Sequence, residues 1–181
     1  MPASRFGIVV ASLCLLLAPL SGCLNAIDSD LQTVEFVDVN RYVGKWYEIA
    51  SYPTSFQRDC TGTTAEYSLK DDGTIRVFNR CLLGSLDGEE NTIEGSARVV
   101  DTTTNAKLAV RFFAFFEAPY WIIELDEDYQ WAVVSDPTRR FLWILSRTPT
   151  MDSAVYEDIL ARVSAKGLDP SKLRQTTQPA E

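Results

Sequence analysis

The 181-residue sequence contains no histidine. Ser-His-Asp and Cys-His catalysis are therefore excluded, as are the usual histidine-bearing zinc ligand sets. No metal site, cofactor or catalytic residue is expected. Basic residues are also scarce, with 17 Lys and Arg against 25 Asp and Glu and a net charge of −8. Nucleic-acid binding calls for basic patches and is disfavoured, as is purely electrostatic attachment to anionic lipid. No internal repeat, low-complexity tract or phosphate-binding glycine loop is present. The one long apolar run, Phe6 to Leu20, falls short of the about 20 residues that cross a bilayer.

That run reads as the core of a secretory signal over residues 1–22, with Arg5 as its basic flank. Leu20-Ser21-Gly22-Cys23 follows it and resembles the lipobox of bacterial lipoproteins. The resemblance implies a diacylglycerol on Cys23 and an acylated N-terminus after cleavage. Acyl chains bury about 0.8 kcal/mol per methylene, so two or more hold a protein firmly on a membrane. Leu24, rather than Asp, implies the outer membrane under the enteric sorting rule. Loss of Arg5 takes the net charge to −9. Residues 23–40 are expected to form a tether, 41–175 the folded domain and 176–181 a tail. Cys14 leaves with the signal and Cys23 takes lipid, which leaves Cys60 and Cys81. An oxidising compartment allows these two a disulfide, the alternative being two free thiols.

From residue 46 onward, short alternating runs predict eight strands at about 46–52, 61–69, 74–80, 92–100, 107–113, 120–126, 130–135 and 141–147. Asp72-Gly73 between the second and third is a hairpin signal. No helical pattern precedes residue 150. One helix is expected over about 151–166, with Met151, Val155, Ile159 and Val163 as its apolar stripe, Thr150 or Asp152 as cap and Gly167 after its end. Both faces of the last strand are apolar (Phe141, Trp143, Leu145 against Leu142, Ile144), so the helix should cover its outer face. The fold class is all-β: an eight-stranded antiparallel up-and-down barrel with one C-terminal α-helix outside.

Three segments resemble the ordered signatures of the lipocalin family. Asn40 to Ala50 carries Gly44-Lys45-Trp46, Leu125 to Trp131 is a divergent second signature, and Phe141 to Pro149 contains Arg147. The resemblance spans about residues 40–175 and is to the bacterial and apolipoprotein D-like lipocalins. It implies that Arg147 lies across Trp46, with Gly44 beside them, and closes the barrel; a catalytic role for Arg147 is the weaker alternative. With the first strand running upward, residues 53–60, 82–91, 113–119 and 136–140 form an open rim. Cys60 and Cys81 both fall there, which favours their pairing, although strict alternation sets them on opposite faces unless one strand bulges or ends early.

Strand parity predicts the interior. The inward set comprises Ala65, Tyr67, Leu69, Ile75, Val77, Asn79, Ile93, Gly95, Ala97, Val99, Leu108, Val110, Phe112, Trp121, Ile123, Leu125, Phe141, Trp143 and Leu145. Small residues among them suggest a hollow centre rather than a filled one. Tyr67, Asn79, Val110, Phe112, Trp121, Ile123, Phe141 and Trp143 are the candidate ligand-binding residues. Tyr67 and Trp143 match pocket positions of apolipoprotein D-like lipocalins, and Tyr67 and Asn79 are the polar groups that would orient a head. Glu48 shares the parity of Trp46 and points either inward near Arg147 or into a bulge. Phe112 to Phe116 makes the rim apolar: a lid, a membrane-facing patch or a homodimer contact. The expected function is to carry or store a small lipophilic molecule, a fatty acid or lysophospholipid, on the periplasmic side of the outer membrane. One rival is an enzyme using Tyr67 or Glu48 for acid–base chemistry. The other is an envelope interaction module with a filled barrel.

Overall fold

The computed structural model describes residues 29–180. The segment 1–22 and Cys23 lie outside them. Eight strands follow one another up and down: β1 (Gly44–Ser51), β2 (Cys60–Leu69), β3 (Ile75–Leu83), β4 (Glu90–Val99), β5 (Lys107–Phe113), β6 (Phe116–Leu125), β7 (Trp131–Ser135) and β8 (Leu142–Ser146). Each pairs antiparallel with the next, and β1 pairs with both β2 and β8, which closes the barrel. Closure satisfies the edge groups that an open sheet would leave unpaired.

The apolar residues divide by parity into two cores. Trp46, Tyr67, Val77, Ala97, Leu108, Val110, Ile122, Val134 and Leu145 fill the barrel. Ala50, Ile123, Val133, Leu142 and Ile144 form the second core outside the sheet, beneath helix α2 (Ser153–Ala165). The two-faced apolar pattern of β8 thus has the cause read from the sequence. Asp152 caps α2, its side chain accepting from the Ala154 and Val155 amides. Ile159 and Val163 are fully buried on the sheet while Val155 is exposed, so the helix is rotated away from the expected stripe, with Tyr156 and Leu160 at its flanks.

Two boundaries shift. Residues 29–40, expected as tether, pack on the barrel. The Ser29 hydroxyl donates to the Pro137 carbonyl at the open rim, the Val34 amide to Ile122, and the Val37 amide to Thr104 near the closed end. Leu31 and Val37 are buried. A short helix, α1 (Val39–Tyr42), then passes beneath the barrel, where the sequence showed no helical pattern; four residues are too few for periodicity to register. At the other end, a two-residue strand β9 (Arg174–Gln175) pairs with β1. The chain beyond it, expected as a free tail, fills the gap where β2 diverges from the top of β1. The Thr176 amide donates to Ile49, the Gly62 amide to Thr177, and the Gln178 amide group to the carbonyls of both Glu48 and Thr63.

Candidate functional site

The closed end is built around Arg147. Its guanidinium carbon lies 3.7 Å from the Trp46 ring centroid. Its nitrogens donate to the carbonyls of Arg41 (2.7 Å), Lys45 (2.9 Å), Val43 (3.1 Å), Tyr42 (3.2 Å) and Tyr129 (3.2 Å). The group ties α1, the start of β1 and the β6–β7 turn into one plug. Gly44 has φ +99°, and a Cβ there would lie 3.3 Å from Arg147 Nη1. The backbone conformation therefore favours glycine, and the close approach leaves little room for a side chain. The Trp46 indole is fully buried and donates to the Tyr42 carbonyl at 2.8 Å.

Above this plug three phenols meet. The Tyr120 hydroxyl bonds those of Tyr42 (2.7 Å) and Tyr67 (3.1 Å), and the Tyr42 and Tyr67 rings stack 5.9 Å apart. Burial pushes all three hydroxyls above the ordinary tyrosine range, that of Tyr67 to about 12. They remain neutral at physiological pH. Beside them is a small wholly apolar void, lined by Tyr67, Ile75, Val77, Ala97, Leu108 and Val110 among others. Its free volume is about 20 Å³.

The barrel is therefore less hollow than its small residues suggested: Tyr42, Tyr67 and Tyr120 border the void, and the space at Gly95 is filled as well. A Cβ on Gly95 would lie 2.5 Å from the Arg111 carbonyl oxygen and 2.7 Å from the Phe112 ring. The space glycine leaves is taken up by Phe112 of the neighbouring strand.

The upper part of the interior carries polar groups among aromatic rings. Glu48 points inward and is 6% exposed. Its carboxyl group accepts from Ser51 Oγ (3.0 Å), Gln57 Nε2 (3.0 Å) and Thr176 Oγ1 (2.5 Å). These partners lie on the mouth side, so Glu48 does not turn toward Arg147. The bulge that the sequence offered as an alternative comes immediately after it, between Glu48 and Ala50. Gln57 reaches in from the first rim loop and also accepts from the Trp143 indole at 3.2 Å. Phe141, at the rim, stacks on Trp143 with ring centroids 5.7 Å apart.

Of the eight candidate ligand-binding residues, Tyr67 and Val110 line the void, Phe112 and Trp143 pack against the inner core, and Asn79 lies on the same face of β3 as Val77. Trp121 and Ile123 do not face inward. Both belong to the outer core under α2, and Tyr120 and Ile122 take their place. The cause is a bulge between Ile122 and Glu124, which adds one residue and reverses parity toward the start of β6. Nothing in Ile122-Ile123-Glu124 announces that bulge. Tyr42 and Gln57 were missed because they sit outside the expected strands.

Cys60 and Cys81 form a disulfide with Cα atoms 5.4 Å apart. Alternation set the two on opposite faces; a bulge between Thr61 and Thr64 resolves this.

A closed up-and-down barrel with an Arg-on-Trp plug at one end and an open rim at the other defines a calyx, a fold that encloses small molecules. Residues 37–178 match the model of the lipocalin-like domain, and the chain belongs to that family. It is 42% identical over 142 residues to outer membrane lipoprotein Blc of Escherichia coli K12, covering 78% of this chain and 80% of that one. It is 39% identical over 158 residues to temperature-induced lipocalin-1 of Arabidopsis thaliana, covering 82% and 83%. Among solved structures, insecticyanin from the tobacco hornworm superposes with a TM-score of 0.69 at 20% identity, over 83% of this chain and 85% of that one, a likeness of fold.

Proposed function

We propose that this lipocalin carries or stores single-chain lipophilic molecules, fatty acids or lysophospholipids, as a lipid-anchored protein of the outer membrane facing the periplasm, serving envelope maintenance under stress. The observation that carries the reading is the polarity of the barrel: an apolar floor around Val77, Ala97, Leu108 and Val110 beneath polar groups at the mouth. An amphiphile with its chain down and its head up matches that gradient. Burial of about 16 methylenes gives about 13 kcal/mol gross. Association and ordering costs, with displacement of Phe112, leave a Kd between about nanomolar and micromolar.

Membrane attachment is supported by Cys23 and by the likeness to Blc. The fold adds an orientation. Ser29 is bonded at the open rim, so only residues 24–28 separate it from Cys23, about 20 Å at full extension. The same rim carries Phe113, Phe115 and Phe116, all exposed at the β5–β6 hairpin. Both observations support a mouth turned toward lipid.

Native mass spectrometry of protein taken from a membrane extract tests the carrier. A retained lipid is expected; no retained lipid together with no uptake of a fluorescent fatty acid overturns the reading. The small free volume and the exposed phenylalanines favour a second reading, an envelope interaction module with a filled barrel. Trp143→Ala separates the two: it weakens lipid uptake in a carrier and leaves partner capture unchanged in a module.

A further inference from the structure

The carboxyl group of Glu48 is buried inside the barrel, yet among the described residues no Lys or Arg pairs with it. A buried acid without a cation is costly and is ordinarily compensated by a partner charge or a full set of donors. Ser51 and Thr176 hydroxyls both bond Oε1, while Oε2 receives only Gln57. Since a carboxylate accepts about four hydrogen bonds, Oε2 has room for one more donor. Two further polar atoms on the adjoining strands are buried without partners. Asn79 Oδ1 is buried and unbonded, and Asn79 stands opposite Ala65, itself opposite Trp46, one inward position below Glu48. Thr63 Oγ1 is likewise buried and unbonded, on the segment that Gln178 ties to the Glu48 backbone. The upper barrel thus has unbonded polar atoms and a buried carboxyl group that no Lys or Arg pairs with among the described residues. Gln57, on a rim loop, supplies the single neutral donor to Oε2 and can be displaced outward.

We infer that Glu48, with Asn79, forms a head-group site that selects single-chain amphiphiles bearing a cationic or hydrogen-bond-donating head, a primary ammonium best, over those bearing a carboxylate. The inference rests on the carrier reading and ranks head groups within it. An ammonium carries three donors and the missing charge, and it would take the place of the Gln57 amide. An alcohol supplies one donor. A carboxylate brings a second negative charge against the first, and no Lys or Arg bonded to Glu48 offsets it.

Displacement of Nile red from the full-length protein by dodecylamine, dodecanol and dodecanoate tests this, because the three share one chain. Dodecylamine is expected to compete at concentrations at least about tenfold below dodecanoate, with dodecanol between them. Glu48→Gln should remove most of that ratio. Gln57→Ala, a rim change that leaves the barrel strands untouched, should raise it and covers the case in which Glu48→Gln fails to fold. Equal competition by the amine and the acid, or a ratio unchanged in both variants, overturns the head-group site while leaving the carrier intact. Absence of Nile red binding and of competition by any of the three overturns the carrier reading itself.

Discussion

Replacing Arg147 by alanine removes the tie across the closed end, and its cost can be worked from the contacts. The cation–π contact with the fully buried Trp46 ring contributes about 1–2 kcal/mol in a desolvated setting. Five carbonyls lose a charged donor. Each such bond is worth about 0.5–1.5 kcal/mol, but several of these carbonyls can take water instead, so about half of the sum survives. The total is about 3–5 kcal/mol, at the upper end of single-residue effects. For a domain of this size it corresponds to a fall in Tm of about 10 °C. Urea unfolding followed by tryptophan fluorescence should show a lower midpoint at an unchanged slope. Arg147→Lys keeps the charge but presents one nitrogen to five acceptors, so it should recover less than half of the loss. Combining Arg147→Ala with Trp46→Leu isolates the ring contact, with an expected coupling of about 1 kcal/mol. A loss below about 1 kcal/mol for Arg147→Ala would refute the assignment of the plug to this residue.

Other perturbations probe the interior and the rim. Phe112→Ala opens the space above Gly95 and should increase Nile red binding while lowering stability by about 2 kcal/mol, measured by titration and urea melt; unchanged dye binding would show that this ring does not limit the volume. Replacing Cys60 and Cys81 together by serine frees a long loop and should cost about 3 kcal/mol in the same unfolding assay, whereas no loss would deny the bond a stabilising role. Tyr42, Tyr67 and Tyr120 hold their protons more tightly folded than unfolded, so their contribution is complete below about pH 10 and declines as pH rises toward the folded value of about 12 for Tyr67. Phenolate absorbance should therefore show these three titrating only as the barrel opens; ordinary titration of all seven tyrosines in folded protein would contradict the cluster. Phe115→Ser should weaken binding of the acylated protein to vesicles, read by flotation, and no change would remove the hairpin from the membrane contact.

The barrel was legible because its determinants are local and repeated. Alternation in β5, the Asp72-Gly73 turn and the doubly apolar β8 each specify geometry within a few residues. The expected range 107–113 coincides with β5. The plug was legible for another reason: Gly44, Trp46 and Arg147 resembled a known set, and strand counting placed both ends of the barrel correctly. The chain termini were not legible. Val34, Val37 and Thr176 are tied down by partners far away in sequence, Ile122, Thr104 and Ile49 respectively, and no periodic pattern encodes such contacts.

The interior was readable only as far as alternation holds. Four register shifts interrupt it; beside one at Val110/Phe113, those at Glu48/Ala50, Thr61/Thr64 and Ile122/Glu124 each decide something about the site. The first lets Glu48 face inward while Ile49 and Ala50 turn to the outer core. The second brings Cys60 within bonding reach of Cys81. The third exchanges Trp121 and Ile123 for Tyr120 and Ile122, and with Tyr120 supplies the hydroxyl that joins Tyr42 to Tyr67. A one-residue insertion in a strand costs little and leaves the apolar count unchanged, so composition and period cannot register it. It nevertheless reverses every side chain on one side of it. In this barrel the polar groups that would choose a ligand depend on those insertions, as does Ile122 of the apolar wall, while Val77, Ala97, Leu108 and Val110 hold their places without them.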